Sequence, residues 1–208
     1  MRLIALVSGG IDSPVASYKM IERGADVILL HMDCRPYADG RSIDKVKRIA
    51  ERLKEFTGKE VPLYSAGHGD NQTLIRKRCD SGYRCVMCKR LMMFVAKELA
   101  LRNGCSGIIM GDSLGQVASQ TLRNIRSGSF DLGFPVVRPL IGLDKLEIEA
   151  IAKRIGTYEL SILHESPCGI LPPRPITEAE PFKVVSQQSL LDFERMVMSS
   201  ADSAERVQ

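Results

Sequence analysis

Residues 6–14 read Leu-Val-Ser-Gly-Gly-Ile-Asp-Ser-Pro and follow directly on a short apolar run. Two adjacent glycines let the backbone turn sharply at the end of a strand. Pro14 then falls where a helix begins, and its missing N–H costs nothing in the first turn. A strand–turn–helix of this kind aims several backbone N–H groups and the hydroxyls of Ser8 and Ser13 at one point, with the positive end of a helix behind them. That is an anion cradle, and its natural guest is a phosphate chain. The letters fit neither the Gly-x-x-x-x-Gly-Lys-[Ser/Thr] loop nor the dinucleotide pattern Gly-x-Gly-x-x-Gly. A plain turn capped by Asp12 or Ser13 would carry the same residues. The position, immediately after an apolar strand near the N-terminus, favours the cradle.

Apolar runs at 3–7, 27–32, 61–65, 107–110 and 136–137 read as strands. Between them lie segments with helical spacing at 14–23, 42–57, 73–78, 87–102, 115–124 and 145–155. The clearest is 42–57, where Ile43, Val46, Ile49, Ala50, Leu53 and Phe56 recur three and four apart. Asp144 is the expected N-cap of the last of these helices. Strands alternating with helices predict an α/β fold, a parallel five-stranded sheet with helices on both faces. In such a sheet ligands gather at the carboxyl ends of the strands, so the site is expected in 8–13, 31–35 and 111–119. The domain is expected over 1–175. Residues 164–175 hold four prolines and read as a loop, and 176–208 as an extension with one helix, near 187–199, and a frayed polar tail.

The chain has 208 residues, 44% hydrophobic and 26% charged, an ordinary composition for a globular protein. No run approaches the roughly 20 apolar residues that span a bilayer, and residues 3–7 are too short for a signal peptide. A cytoplasmic location without membrane contact is expected. The formal net charge is +4, with Arg76, Lys77, Arg78, Arg84, Lys89 and Arg90 close together. Such a run suits a phosphate-rich partner, or is simply a solvated helix face.

Ser8-Gly9-Gly10-Ile11-Asp12-Ser13 resembles the signature of PP-loop ATP pyrophosphatases, which have a Rossmann-like fold of the adenine nucleotide alpha hydrolase type. Residues 111–121 read Gly-Asp-Ser-Leu-Gly-Gln-Val-Ala-Ser-Gln-Thr, followed by Arg138-Pro139-Leu140-Ile141-Gly142-Leu143-Asp144-Lys145 and by Ile155-Gly156-Thr157-Tyr158-Glu159. In order and spacing these motifs resemble the catalytic domain of the tRNA 4-thiouridine synthetases, the ThiI family, over residues 1–160. The resemblance implies an ATP-dependent sulfurtransferase. It would adenylate the C4 oxygen of a tRNA uridine, release pyrophosphate and let sulfur displace AMP. It implies ATP contacts from Leu6, Val7, Ser8, Gly9, Gly10, Asp12, Ser13, His31, Met32, Lys89, Gly111 and Gln120, with Asp12 also orienting Mg²⁺. Lys89 stands where many relatives carry Arg, and Asp112 where many carry Glu. His31 also reads as a strand-end histidine satisfied by a backbone carbonyl. The sequence begins at the ATP domain, so neither an N-terminal THUMP domain nor a rhodanese domain is expected. The RNA grip would come from a separate THUMP protein, with Arg123, Arg126 and Arg138 extending the basic track. Two other readings stay open: a PP-loop sulfurtransferase for a small molecule or carrier protein, as in thiamine thiazole assembly, and a nucleotide-binding subunit without turnover. The oligomeric state is open too, with a homodimer among the options.

Six cysteines in a cytosolic chain argue against a disulfide framework. Cys85 and Cys88 form Cys-x-x-Cys, and Cys168 stands in Ser-Pro-Cys-Gly. Relatives without rhodanese hold an iron–sulfur cluster with such a trio. The resemblance therefore gives Cys85, Cys88 and Cys168 as ligands of a [4Fe-4S] cluster and as catalytic residues beside Asp12. Three thiolates on a four-iron cube leave one iron open for sulfur from sulfide or a persulfide carrier. The spacing also allows a redox pair of Cys85 and Cys88, a zinc site completed by Cys79 or His164, or a structural role. Cys79 is an alternative persulfide carrier. Cys34 and Cys105 are expected to be small buried hydrophobes.

Overall fold

The computed structural model describes residues 1–38, 40–164 and 168–208. Six strands form one sheet in the order β5-β4-β1-β2-β3-β6. They are β1 (Arg2–Val7), β2 (Asp26–Asp33), β3 (Leu63–Gly67), β4 (Ile108–Ile109), β5 (Val136–Val137) and β6 (Glu205–Arg206). The first five run parallel; β6 joins β3 antiparallel. The pleat explains why β1 and β2 read as unbroken apolar runs. Leu3, Ala5 and Val7 face one core with Val27 and Leu29, while Ile4 faces the other with Ile28, Leu30 and Met32. A central parallel strand is covered on both faces and has no solvent side to mark with polar residues.

One face is covered by α1 (Asp12–Glu22), α2 (Arg41–Thr57) and α6 (Lys145–Ile155). The other carries α3 (Gly69–Arg78) and α4 (Arg84–Arg102), with α5 (Leu122–Gly128), α8 (Pro181–Gln188) and α9 (Phe193–Asp202) outside them. The short α7 (Tyr158–Ser161), which has no sequence signal of its own, sits beside α2 and α6. Asp144 caps α6 in a full capping box with Glu147, as its sequence predicts. β1 is flanked by β2 on one side and β4 on the other, so the crossovers part there. The crevice of a doubly wound sheet lies at that point.

Several expected elements differ. The tail is not frayed: Val207 N–H donates to Leu63 O (2.9 Å) and Leu63 N–H to Gln208 O (3.2 Å), making the sixth strand. Glu205 and Arg206 are exposed at a sheet edge, so backbone pairing without side-chain burial orders them and no hydrophobic pattern announces it. The extension holds two helices rather than one, because residues 189–192 break the run expected at 187–199. The helix expected at 115–124 is instead a loop and a 3₁₀ turn (Ala118–Gln120) before α5. Gly115 has φ +76°, and Thr121 Oγ1 caps α5 by accepting from Asn124 N (3.2 Å). The basic run also divides. Arg76, Lys77, Arg78, Arg123 and Arg126 are exposed, but Arg90 is only 1% exposed and belongs to the core.

Candidate active site

The turn after β1 is held open by its own serines. Ser8 N–H donates to Ser13 Oγ (2.9 Å), Gly10 N–H donates to Ser8 Oγ (3.3 Å), and the two hydroxyls lie 3.3 Å apart. No side chain at Ile11 caps α1, so the N–H groups of its first turn remain for a ligand. Gly111, just beyond β4, backs this turn. A Cβ there would lie 2.8 Å from both N and Cα of Ser13, so only glycine lets the two strand ends close on each other.

A cleft of about 400 Å³ opens over this turn. It is lined by all twelve residues expected to contact a nucleotide: Leu6, Val7, Ser8, Gly9, Gly10, Asp12, Ser13, His31, Met32, Lys89, Gly111 and Gln120. Met92, Met110, Ser42, Asp112, Cys34 and Cys168 complete much of the rest. Leu6, Met32, Met92 and Met110 give one side of the cleft an apolar lining suited to a flat ring. Gln120 is buried, and its Oε1 has no hydrogen-bond partner among the described residues, an acceptor open to a donor. His31 places Nδ1 3.3 Å from Val7 O and Nε2 3.4 Å from Ser42 Oγ, so its ring is oriented by the protein itself.

The charges form a chain. Asp112 is buried and bridges two cations: Lys89 Nζ lies 3.0 Å from Oδ1, and Arg138 Nε 3.1 Å from Oδ2. Arg138 is therefore a partner of this buried carboxylate and not part of an exposed basic track. Asp12 projects from the first turn of α1, and its carboxyl pKa is raised. Burial is the largest cause; Lys89 and Lys145 pull it down through space, and Asp112 pushes it up. A carboxylate desolvated without a contact ion pair welcomes a cation.

Cys85 lies in the first turn of α4 and Cys88, buried, one turn later. Burial pushes both thiols up, with the Cys168 sulfur adding to the shift at Cys85. Gln72 Nε2 reaches Cys88 Sγ (3.7 Å) and Cys168 Sγ (3.8 Å), while His68 Nε2 lies 3.1 Å from Cys88 Sγ. Gln72 thus links Cys88 to Cys168, the Cys168 sulfur is felt at Cys85, and Cys168 lines the cleft. Cys34 departs from its expected role: it is half-buried, lines the cleft with Cys168, and its sulfur acts on Cys88. It sits at the exit of β2, where the chain leaves the core for the site. Cys105 is buried, as expected. Cys79 lies elsewhere, its Sγ 3.8 Å from Gln187 O and its pKa raised by burial to about 11, and it does not line the cleft. Among the described residues no three His, Cys, Asp or Glu side chains gather closely enough for one metal ion. Ser166 and Pro167 of the Ser-Pro-Cys-Gly stretch lie outside the described residues. Sequence reasoning missed His68, Gln72 and Cys34 as neighbours of the trio. Each comes from a different stretch of chain, and no spacing links them.

The family model described as thiamine biosynthesis protein (ThiI) matches residues 1–193. A probable tRNA sulfurtransferase of Methanothermobacter thermautotrophicus is 40% identical over 197 residues, covering 94% of this chain and 51% of its own length. A probable tRNA sulfurtransferase of Thermus thermophilus is 42% identical over 198 residues, covering 94% and 48%. Among solved structures, a 4-thiouridine synthetase–RNA complex with bound ATP superposes with a TM-score of 0.93 at 32% identity, covering 100% of this chain and 55% of that one. The chain spans about half the length of the curated relatives it matches. No helix among the described residues is long and apolar enough to cross a membrane.

Proposed function

The chain belongs to the ThiI family, and from that premise we propose that it is an ATP-dependent sulfurtransferase converting a tRNA uridine to 4-thiouridine. One observation carries the reading: the phosphate-binding turn and Cys168 line the same cleft, so an activating site and a sulfur-bearing site face one space. The relatives named tRNA sulfurtransferases and the ATP-bound 4-thiouridine synthetase support this substrate class.

The turn of Ser8–Ser13 would hold the triphosphate through its N–H groups, and the apolar wall of Leu6, Met32, Met92 and Met110 would hold the base. Lys89, fixed by Asp112, would keep a positive charge beside the phosphates while pyrophosphate leaves. The uridine O4 attacks the α-phosphorus, the bond to the β-phosphate oxygen breaks, and N3 loses its proton. Hydrosulfide sulfur then adds at C4, the C4–O bond breaks, AMP departs with the electron pair, and the sulfur-borne proton moves to N3. An amide-like oxygen leaves poorly; its adenylate leaves well.

Two absent groups are compatible with the residues present. Asp12, desolvated and without a contact ion pair, would hold Mg²⁺, which screens phosphate charge when bound. Cys85, Cys88 and Cys168 form a soft thiol set with amide and imidazole nitrogens directed at two of its sulfurs, which suits iron–sulfur ligation. A cluster held there would offer a soft binding position to exogenous hydrosulfide, the nucleophile of the displacement. Sulfide, or a persulfide carrier together with a thiol reductant that releases its outer sulfur as hydrosulfide, is the donor class this implies.

The test is an anaerobic, reduced preparation given ATP, a sulfide source and excess tRNA. The expected result is pyrophosphate release that rises with tRNA, and 4-thiouridine in the digested RNA. Release stimulated only by a small acceptor or a carrier protein would redirect the assignment. ATP binding without turnover under any acceptor would make the chain a nucleotide-binding subunit.

A further inference from the structure

His68 and Gln72 are two polar side chains, each about 1% exposed, that do not line the nucleotide cleft. His68 is the residue before α3 and Gln72 lies four residues on, so both project from one face. Their hydrogen bonding follows one pattern. The nitrogen of each approaches sulfur: His68 Nε2 that of Cys88 (3.1 Å), Gln72 Nε2 those of Cys88 (3.7 Å) and Cys168 (3.8 Å). The other polar atom of each, His68 Nδ1 and Gln72 Oε1, is buried without a partner among the described residues. With the imidazole proton on Nε2, both orphans are acceptors and both donors point at sulfur. A neutral thiol is a weak acceptor and would not repay the burial of two polar side chains; a sulfur carrying negative charge would.

The backbone holds the pair in place. His68 N–H donates to Asp33 O (2.8 Å). A Cβ on Gly69 would lie 1.7 Å from Arg35 O, so glycine is obligatory where α3 docks on the loop after β2. Gln72 also joins sulfurs from separate parts of the chain, one on α4 and one beyond α7, 96 residues from itself.

We propose that His68 and Gln72 are positioning residues, a preformed N–H···S cradle that orients Cys88 and Cys168 and tunes the thiolate group they form. This rests on the iron–sulfur reading above. Hydrogen bonds to ligand sulfur raise the reduction potential and hold the ligands in place. The test uses anaerobically reconstituted full chain, with iron and sulfide analysis, a redox titration followed by electron paramagnetic resonance, and iron loss to a chelator. Gln72→Met and His68→Phe remove an N–H at similar volume; His68→Gln keeps one. Thermal melting and ATP binding establish that each variant is folded, and Gln72→Met carries the test should His68→Phe fail to fold. The expected result is a more negative midpoint potential and roughly tenfold faster iron loss in Gln72→Met and His68→Phe. His68→Gln is expected to stay close to the parent. Iron bound at an unchanged potential in both donor-less variants would overturn the cradle and leave the cluster reading standing. A parent protein that binds no iron would overturn both.

Discussion

Asp12 is the residue where function and stability pull apart. Its carboxyl pKa is raised above the ordinary 3.8, first by burial, so the fold favours the protonated form. The linkage follows from that sign. The contribution to stability is complete below 3.8 and is lost as pH rises through the raised value, so at neutral pH the ionised group opposes folding. Asp12→Asn is therefore expected to raise the urea midpoint of the ligand-free protein at pH 7, with the gain shrinking toward pH 3.8. In the proposed reaction the same substitution removes the group that would hold Mg²⁺ and is expected to slow pyrophosphate release about 10²-fold. Urea titrations at several pH values and a coupled pyrophosphate assay check both halves. A midpoint unchanged at pH 7 would mean that the carboxylate is solvated. The cleft-lining stretch around Asp12 was legible in the chain because a glycine turn between strand and helix is a local device: contiguous residues make it. Gln72 had no such legibility, since only the folded chain brings it within reach of Cys168, which the family resemblance had named. Arg138 was misread for a related reason: a cation written in sequence does not show the buried carboxylate that it meets.

Helices with one wet face show themselves by a stripe; the helix without one, expected at 87–102 and formed over Arg84–Arg102, did not show which of its polar residues are buried. α2 and α6 carry apolar stripes, and α6 also carries its capping box. α4 lies between the sheet and α9, so it is buried on opposite sides and has no clean stripe. Arg90 shows the consequence. It looked like surface charge, yet it is the joint between α4, α5 and the C-terminal helices. Its Nε donates to Gln188 Oε1 (2.6 Å), its Nη1 to Gly128 O (3.3 Å) and to Phe130 O, and its guanidinium stacks on Phe94 (4.7 Å) and Phe193 (5.9 Å). Burial lowers its pKa, with Asp131 opposing the shift. A lysine cannot supply this fork of donors. Arg90→Lys is accordingly expected to destabilise by about 2 kcal/mol, and Arg90→Met by about 3 kcal/mol, since the acceptors stay buried and unpaired. Chemical denaturation measures this, and a single transition for both variants is expected if the C-terminal helices belong to the same cooperative unit. A second, earlier transition confined to residues 176–208 would instead make them an appendage.

At the scale of the molecule, the cleft mouth and the exposed basic residues of α3 meet on one side. The loop that follows β2 turns at Cys34, whose carbonyl accepts from Tyr37 N–H (2.8 Å), and docks on the Cys168 segment through Gly169 N–H to Tyr37 O (3.0 Å). Tyr37 also reaches α3: its hydroxyl lies 3.0 Å from Thr73 Oγ1, and Arg76 and Lys77 lower its pKa after that bond. The last turn of α3, with Arg76, Lys77 and Arg78, thus borders the rim at which a sulfur-bearing cysteine opens to solvent. A polyanion drawn to these charges would arrive with its bases at the cleft, whereas the cations facing Asp112 are already engaged. In the proposed reaction, replacing Arg76 and Lys77 together by Glu should leave ATP binding in the absence of RNA unchanged and weaken tRNA binding. The slope of log affinity against log salt should become shallower by about 1 to 2, as expected for one or two lost phosphate contacts. Filter binding across a salt series reads the slope, and pyrophosphate release at subsaturating tRNA reads its consequence. An unchanged slope would move the RNA to another face of the molecule, even with ATP chemistry intact in this cleft.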